Sequence, residues 1–263
     1  MRLRATLTAL VVLLAACDKA NSDSQPAPFG NRVNTDSMGI DASRITPVEL
    51  RDNAKLSEAS GAAASVRHPG VIYSINDSNN EPLLFAVDTL GMNRGIWRVT
   101  GATNVDWEAV AMGPCPHDRD CIYIGDTGDN NARLRSRTIY RMPEPGTLGV
   151  RDTIHAESLT YVYADGPRDV EAMYVTPFGD VILITKRRSR GRHGQLRPAL
   201  VYALPASAWS QGARATATLV DSLPIVPGSA ALDVITDASL APDRRHLVVR
   251  TYVQAYVFAT DPA

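Results

Sequence analysis

Four stretches of the chain place an acid next to a small residue at the head of an apolar run: Glu58-Ala59-Ser60-Gly61, Asp106-Trp107-Glu108-Ala109-Val110, Glu171-Ala172-Met173-Tyr174 and Asp237-Ala238-Ser239-Leu240. Carboxylates gathered from four such places would suit a hard cation, and calcium takes about six to eight oxygen ligands from carboxylates, amides and carbonyls. Two loops add oxygen-bearing side chains, Asn76-Asp77-Ser78-Asn79-Asn80 and Gly125-Asp126-Thr127-Gly128-Asp129-Asn130-Asn131. The candidate metal ligands are Glu58, Asp77, Glu108, Asp126, Asp129, Glu171 and Asp237, with calcium as the cofactor they suit. The same loop residues also make Asx-type turns that cap strands, so the cation and the turn readings both stand at this level. An EF-hand is excluded, because the spaced acids and closing glutamate of its loop are missing.

Farther along, the corresponding stretches are basic. Lys186 opens Lys186-Arg187-Arg188-Ser189-Arg190-Gly191-Arg192-His193, and Arg250 opens Arg250-Thr251-Tyr252. The distal arginines read as a solvated run. Lys186 and Arg250 are expected where Asp77 and Asp126 stand in the earlier units, and are candidates for holding the anionic group of a ligand.

The elements that must position these groups are short strands. After the acids, which lie 50, 63 and 66 residues apart, come further β-type runs in the same order. Second strands read at Val71–Ile75, Cys121–Ile124, Val181–Ile184 and His246–Val249. Third strands read at Leu83–Val87, Thr138–Arg141, Leu200–Ala203 and Ala255–Phe258, and fourth strands at Gly95–Val99, Leu159–Tyr163 and Ala215–Leu219. Four short strands recurring at this spacing predict an all-β propeller with four recognisable four-stranded blades, the last incomplete. Two accounts fit the C-terminal shortfall: residues 46–56 supply the missing outer strand and close a small ring, or the chain is a truncated larger propeller with an open edge. Trp97, Trp107, Tyr140, Tyr161, Tyr174 and Trp209 read as strand residues that pack between blades.

Residues 1–17 read as a lipoprotein signal peptide: Arg2 and Arg4, the apolar run Leu7–Leu14, then Leu14-Ala15-Ala16-Cys17, where the Cys17 thiol accepts lipid. That apolar run is too short to span a bilayer. By resemblance to enterobacterial lipoproteins, Asp18 implies retention at the inner membrane. Residues 18–44 are rich in Asn, Ser, Asp, Pro and Gly and read as a flexible tether, leaving 45–263 as the propeller domain. The implied location is the bacterial cell envelope, lipid-anchored and facing the periplasm. In that oxidising compartment Cys115 and Cys121 are expected to form a disulfide across Pro116-His117-Asp118-Arg119-Asp120. A metal site using His117 and Asp118 is the alternative, but the spacing fits no zinc pattern.

A net charge of −1 rules out strong electrostatic steering to nucleic acid. The chain has no G-x-S-x-G elbow, no H-E-x-x-H and no Walker loop. His68, just before a second strand, is a candidate base, though a structural or surface role is the reading its position favours.

Asn-Asp-Ser at 76–78, Asp-Trp-Glu-Ala at 106–109, Gly-Asp-x-Gly-Asp-Asn at 125–130, Tyr-Arg-x-Pro-Glu-Pro at 140–145, Asp-x-Glu-Ala at 169–172 and Arg-Thr-Tyr at 250–252 occur in this order. The set resembles an uncharacterised family of secreted bacterial β-propeller lipoproteins over roughly residues 55–258, and it carries no established activity with it. A more distant likeness is to calcium-holding propellers such as gluconolactonases, paraoxonases and alkaline phytases. That likeness implies inner-strand acids around an axial cation, matched here only in general placement by Glu58, Glu108, Glu171, Asp237, Asp77 and Asp126. The function this implies is a membrane-tethered module that binds a small anionic ligand or a protein at an acidic axial mouth. A calcium-dependent hydrolase of a phosphoester, lactone or ester is the alternative.

Overall fold

The computed structural model describes residues 48–116, 119–186, 198–210, 215–223, 234–241, 243–252 and 254–260. The signal peptide, Cys17, the tether, His117, Asp118 and the Arg187–His193 run lie outside them. Among the described residues there are sixteen strands and a single 3₁₀ turn, Ala206–Ser210, so the all-β reading holds.

The chain runs as repeated antiparallel meanders. The first unit is β1 (Ala59–Ala64), β2 (Val71–Asn76), β3 (Leu83–Asp88) and β4 (Asn93–Thr100). The second is β5 (Trp107–Cys115), β6 (Arg119–Asp126), β7 (Arg137–Pro143) and β9 (Glu157–Tyr163). Between β7 and β9 the chain makes β8 (Val150–His155), a strand the spacing did not predict, which pairs in parallel with β4 of the first unit. The third unit is β10 (Val170–Val175), β11 (Val181–Thr185), β12 (Leu200–Leu204) and β13 (Ala215–Ser222), and the fourth is β14 (Ile235–Leu240), β15 (His246–Thr251) and β16 (Ala255–Ala259). A parallel pairing of β13 with β9 joins the second and third units at their outer edges.

The first strands stand around a common axis. β1 packs on β5, β5 on β10 and β10 on β14, while β14 also meets β1. The two middle ones, β5 and β10, are covered on both faces and buried continuously through Trp107–Ala111 and Val170–Val175. Outer strands have one wet face, and β13 begins with strict buried–exposed alternation over Ala215–Thr218. The core between units is aliphatic and aromatic: Tyr73, Phe85, Trp107, Ile122, Ile124, Tyr161 and Tyr202 are fully enclosed. Each Ile or Leu buried in this way contributes about 1.5–3 kcal/mol.

Two readings need correction. Of the two accounts of the C-terminal shortfall, completion of the last unit by residues 46–56 does not hold for the described part of that stretch, 48–56. Arg51 bridges Met92 and Leu56 packs on Leu83 and Phe85, which puts this stretch on the first unit. Trp209 is not a strand residue. It sits in the 3₁₀ turn, edge-on to Tyr123 at 5.9 Å with the Arg141 guanidinium 4.1 Å above its ring. The Cys115–Cys121 disulfide is formed at the β5–β6 hairpin, with the two Cα atoms 5.1 Å apart, which leaves no thiolate pair for a metal.

The contact of β1 with β5 depends on a glycine. Gly61 has φ +69°, and a Cβ there would lie 2.8 Å from the Val110 amide nitrogen. Gly61→Ala is therefore expected to cost about 1–3 kcal/mol, read as a lower urea midpoint at unchanged m-value.

Candidate functional site

A one-residue bulge interrupts every first strand, and it decides where the acids go. In β5 the register jumps across Glu108, in β10 across Glu171 and in β14 across Thr236, whereas in β1 it jumps across Gly61. Three backbone bonds then identify equivalent positions ahead of the strands: Asp77 N–H donates to Glu58 O at 2.9 Å, Thr127 N–H to Asp106 O at 3.1 Å and Lys186 N–H to Asp169 O at 3.0 Å. The acids therefore stand in two tiers. Glu58, Asp106 and Asp169 form the upper one, and the bulged Glu108 and Glu171 the lower one. Asp106 and Asp169 were absent from the sequence-derived ligand set. A recurring acid two residues ahead of Glu108 and Glu171, visible in Asp-x-Glu-Ala, was the available signal.

Within this arrangement Asp77, Asp106 and Glu108 each bring one carboxylate oxygen to within 4.8 Å of the others. The loop after β6 closes over them because Gly128 has no side chain, and a Cβ there would lie 2.5 Å from Asp106 Oδ2. Ser60 donates its hydroxyl to Glu108 Oε2 at 2.9 Å. Beside them, Lys186 Nζ donates to Glu171 Oε1 at 2.5 Å. Asp169 is buried, and its Oδ1 accepts the Asp129 amide at 2.9 Å. Its Oδ2 has no hydrogen-bond partner among the described residues.

The electrostatics follow from burial and like charge. Burial, then the Glu171 and Asp77 carboxylates, push Glu108 up to about 9. Burial, then Asp77, push Asp106 up to about 6 although Arg137 opposes it. Glu171 is also raised by burial, with Lys186 pulling it back. Donors here are all oxygens and predominantly carboxylates, which is the chemistry of a hard divalent cation.

Other candidates occupy other places. Asp126 accepts from Arg137 Nη2 at 2.8 Å in a buried pair and from the Asp106 amide at 2.8 Å, so it holds the β5 head in position. The Asp129 carboxylate accepts the Leu134 amide at 2.7 Å and shapes its own loop. Glu58 accepts from Asn80 at 2.8 Å on the exposed rim. Asp237 stands one residue beyond the bulge, opposite Arg250, and is pushed up to about 7 by burial, with Arg250 and the Ala238 and Ala62 amides opposing. It ties β14 to β1 instead of joining the acids. Lys186 does occupy the position of Asp77. Arg250 precedes the position of Asp126 by one residue, and partners Asp237. His68 lies in the β1–β2 turn, at the far end of the strands, where its Nε2 meets Pro145 O at 2.8 Å. It cannot exchange a proton at this cluster. Glu144, from the Tyr-Arg-x-Pro-Glu-Pro stretch, is buried there and accepts from Ser65 and from Tyr73 OH, tying the second unit to the first.

No protein-family model matches the chain, and no curated protein is detectably similar in sequence. Among solved structures it is similar to the Dos1 propeller at 13% identity and TM-score 0.38, over 77% of this chain and 44% of that one. It is similar to a chain of the mitotic checkpoint complex at 13% identity and TM-score 0.37, over 83% and 52%. The periplasmic gluconolactonase of Pseudomonas aeruginosa matches at 10% identity and TM-score 0.35, over 76% and 49%. The chain spans about half the length of each. These likenesses concern fold alone.

Glu108, Asp106 and Asp237 all have folded values above their ordinary ones, so the folded state holds extra protons between the two. Their contribution is complete below about pH 4 and is lost as pH rises through about 6 to 9. Metal-free protein should therefore melt at progressively lower temperature from pH 5 to pH 9, by differential scanning calorimetry in chelator. Glu108→Gln should flatten the upper part of that slope.

Proposed function

We propose that this protein is a binding module, a lipid-anchored β-propeller of the bacterial envelope. Its acidic axial mouth holds calcium and through it engages a small anionic ligand or an acidic protein segment. The observation that supports this reading is the convergence of Asp77, Asp106 and Glu108 beside the buried Asp169 Oδ2, which has no hydrogen-bond partner among the described residues. Carboxylates held this close repel one another, and burial adds to the cost of ionising them, so the set needs protons, bases or a cation. Lys186 answers for Glu171 only in part, since it approaches one oxygen of a group whose neighbours are also acids. Calcium would be held by Asp77, Asp106 and Glu108, with Asp169 near enough to add to the field. It would supply a positive centre for an anionic group at the mouth. Lys186, beside the acids, would contribute a second positive contact.

The lipobox ending at Cys17 supports the membrane anchor, Asp18 supports the inner membrane, and the ordered motif set supports membership in the secreted propeller family. Cys17→Ser should move the protein from the membrane fraction to the soluble periplasmic fraction on immunoblotting.

Calcium at about a hundredfold over its dissociation constant should raise the melting temperature by about 5–10 °C, read by thermal shift against chelator. Glu108→Gln should abolish that increment and leave the metal-free protein equally or more stable. Glu171→Gln should instead lower metal-free stability, because it strips Lys186 of its partner. Absence of any calcium response in the wild type overturns the metal reading. Calcium-dependent turnover of a phosphoester, lactone or p-nitrophenyl ester would replace the binding module with a hydrolase.

A further inference from the structure

The acids take one end of the axis, and the other end carries a cavity of its own. About 90 Å³ of space opens where the four first strands finish, lined by Ala63, Ala111, Met112, Val175 and Leu240, with Ala64 and Val66 at its edge. Gly113 on its wall lies five steps along β5 from Glu108, which is about 15 Å along a strand. This is a second place, distinct from the acidic mouth.

Three observations bear on its occupant. Its walls are mostly hydrocarbon, and at about 30 Å³ per water the space equals about three waters that would find few polar partners. A four- or five-carbon branched group has the matching bulk and character. At the rim stands Arg244, reaching Asp120 only at 3.9 Å, with half of its side chain in solvent. Its guanidinium fork is thus left mainly unoccupied by that carboxylate, and two-pronged carboxylate recognition is what such a fork does best. The backbone supplies the third observation. Arg244 has φ +58°, in the left-handed region that favours glycine, inside a turn where its amide donates to Ala241 O at 2.8 Å and its carbonyl accepts from Thr260 at 2.8 Å. A turn needing this conformation is best served by glycine, and arginine there carries a conformational cost that no tight ion pair among the described residues offsets. The opposite rim is rigid: Pro114 and Asp120 pair across the β5–β6 hairpin next to the Cys115–Cys121 disulfide.

We propose that this cavity binds a small branched-chain carboxylate, its hydrocarbon inside the axis and its carboxylate on Arg244. Asp120 keeps the guanidinium over the opening in the free protein and yields it to the incoming anion.

Titration calorimetry of the full chain with isovalerate, in chelator so that the acidic mouth plays no part, tests this. Binding in the millimolar range is expected, at least tenfold tighter than acetate, which lacks the hydrocarbon, and than isoamyl alcohol, which lacks the charge. Arg244→Gly should weaken isovalerate at least tenfold while the melting temperature stays equal or rises, because the turn then has the residue it favours. Ala64→Leu, which fills the opening from its exposed side, should also remove binding. Glu108→Gln should leave it unchanged. No isovalerate binding to the wild type, affinity equal to acetate, or undiminished binding to Arg244→Gly would overturn the proposal. So would a lower melting temperature of Arg244→Gly without loss of affinity, which makes Arg244 a structural residue.

Discussion

The bulge at the head of each first strand is the constraint on which the candidate site depends. A strand alternates its side chains between two faces, and β5 and β10 are covered on both by neighbouring sheets. A charged residue in regular alternation would therefore be driven into a core. The extra residue breaks the ladder locally and lets Glu108 and Glu171 turn out of the interleaved apolar packing, while Ala109 and Ala172 resume the ladder behind them. Gly61 serves the same local purpose in β1 with a positive φ that also lets β5 approach closely.

Convergence of the heads brings an electrostatic cost that the fold meets unevenly. Asp126 is neutralised by Arg137, Asp237 faces Arg250 and two amides, and Glu171 has Lys186. Asp77, Asp106 and Glu108 have no basic group in contact with them among the described residues, and one oxygen of Asp169 is left bare. Asp126, Glu171 and Asp237 each face a base, whereas Asp77, Asp106 and Glu108 face one another, and that contrast separates supporting carboxylates from candidate ligands.

The axis is polarised from end to end. Its mouth is made by loops carrying Asp77, Gly128 and Lys186, whose short or flexible side chains leave polar atoms facing inward. The far end is made by hairpin turns and strand ends of small apolar residues, braced by the disulfide and by the Glu144 contacts with the first unit. A rigid sheet framework between them allows the two ends to differ in chemistry without one disturbing the other.

The β runs, their order and their grouping in fours were legible from composition alone, because β-branched and aromatic residues in short stretches between turn residues admit little else. The same reasoning picked out Asp77 and Glu108, which converge, Glu171 and Lys186, which pair, and the disulfide, which is formed. It aligned Glu58 and Asp237 with the glutamates, missed Asp106 and Asp169, and placed Arg250 one residue out. Spacing along a chain counts residues, whereas a bulge changes which way they face without leaving a mark in composition, so a slip of one or two positions is invisible until the ladder bonds are seen. β8 escaped for a related reason: Val150–His155 is an outer strand with half its residues exposed, and only pairing with β4, from another unit, makes it a strand. The sequence by itself determined the strands and the supply of acids. The tertiary structure decided which acids meet and which are neutralised, because that depends on register and on partners brought together from distant parts of the chain.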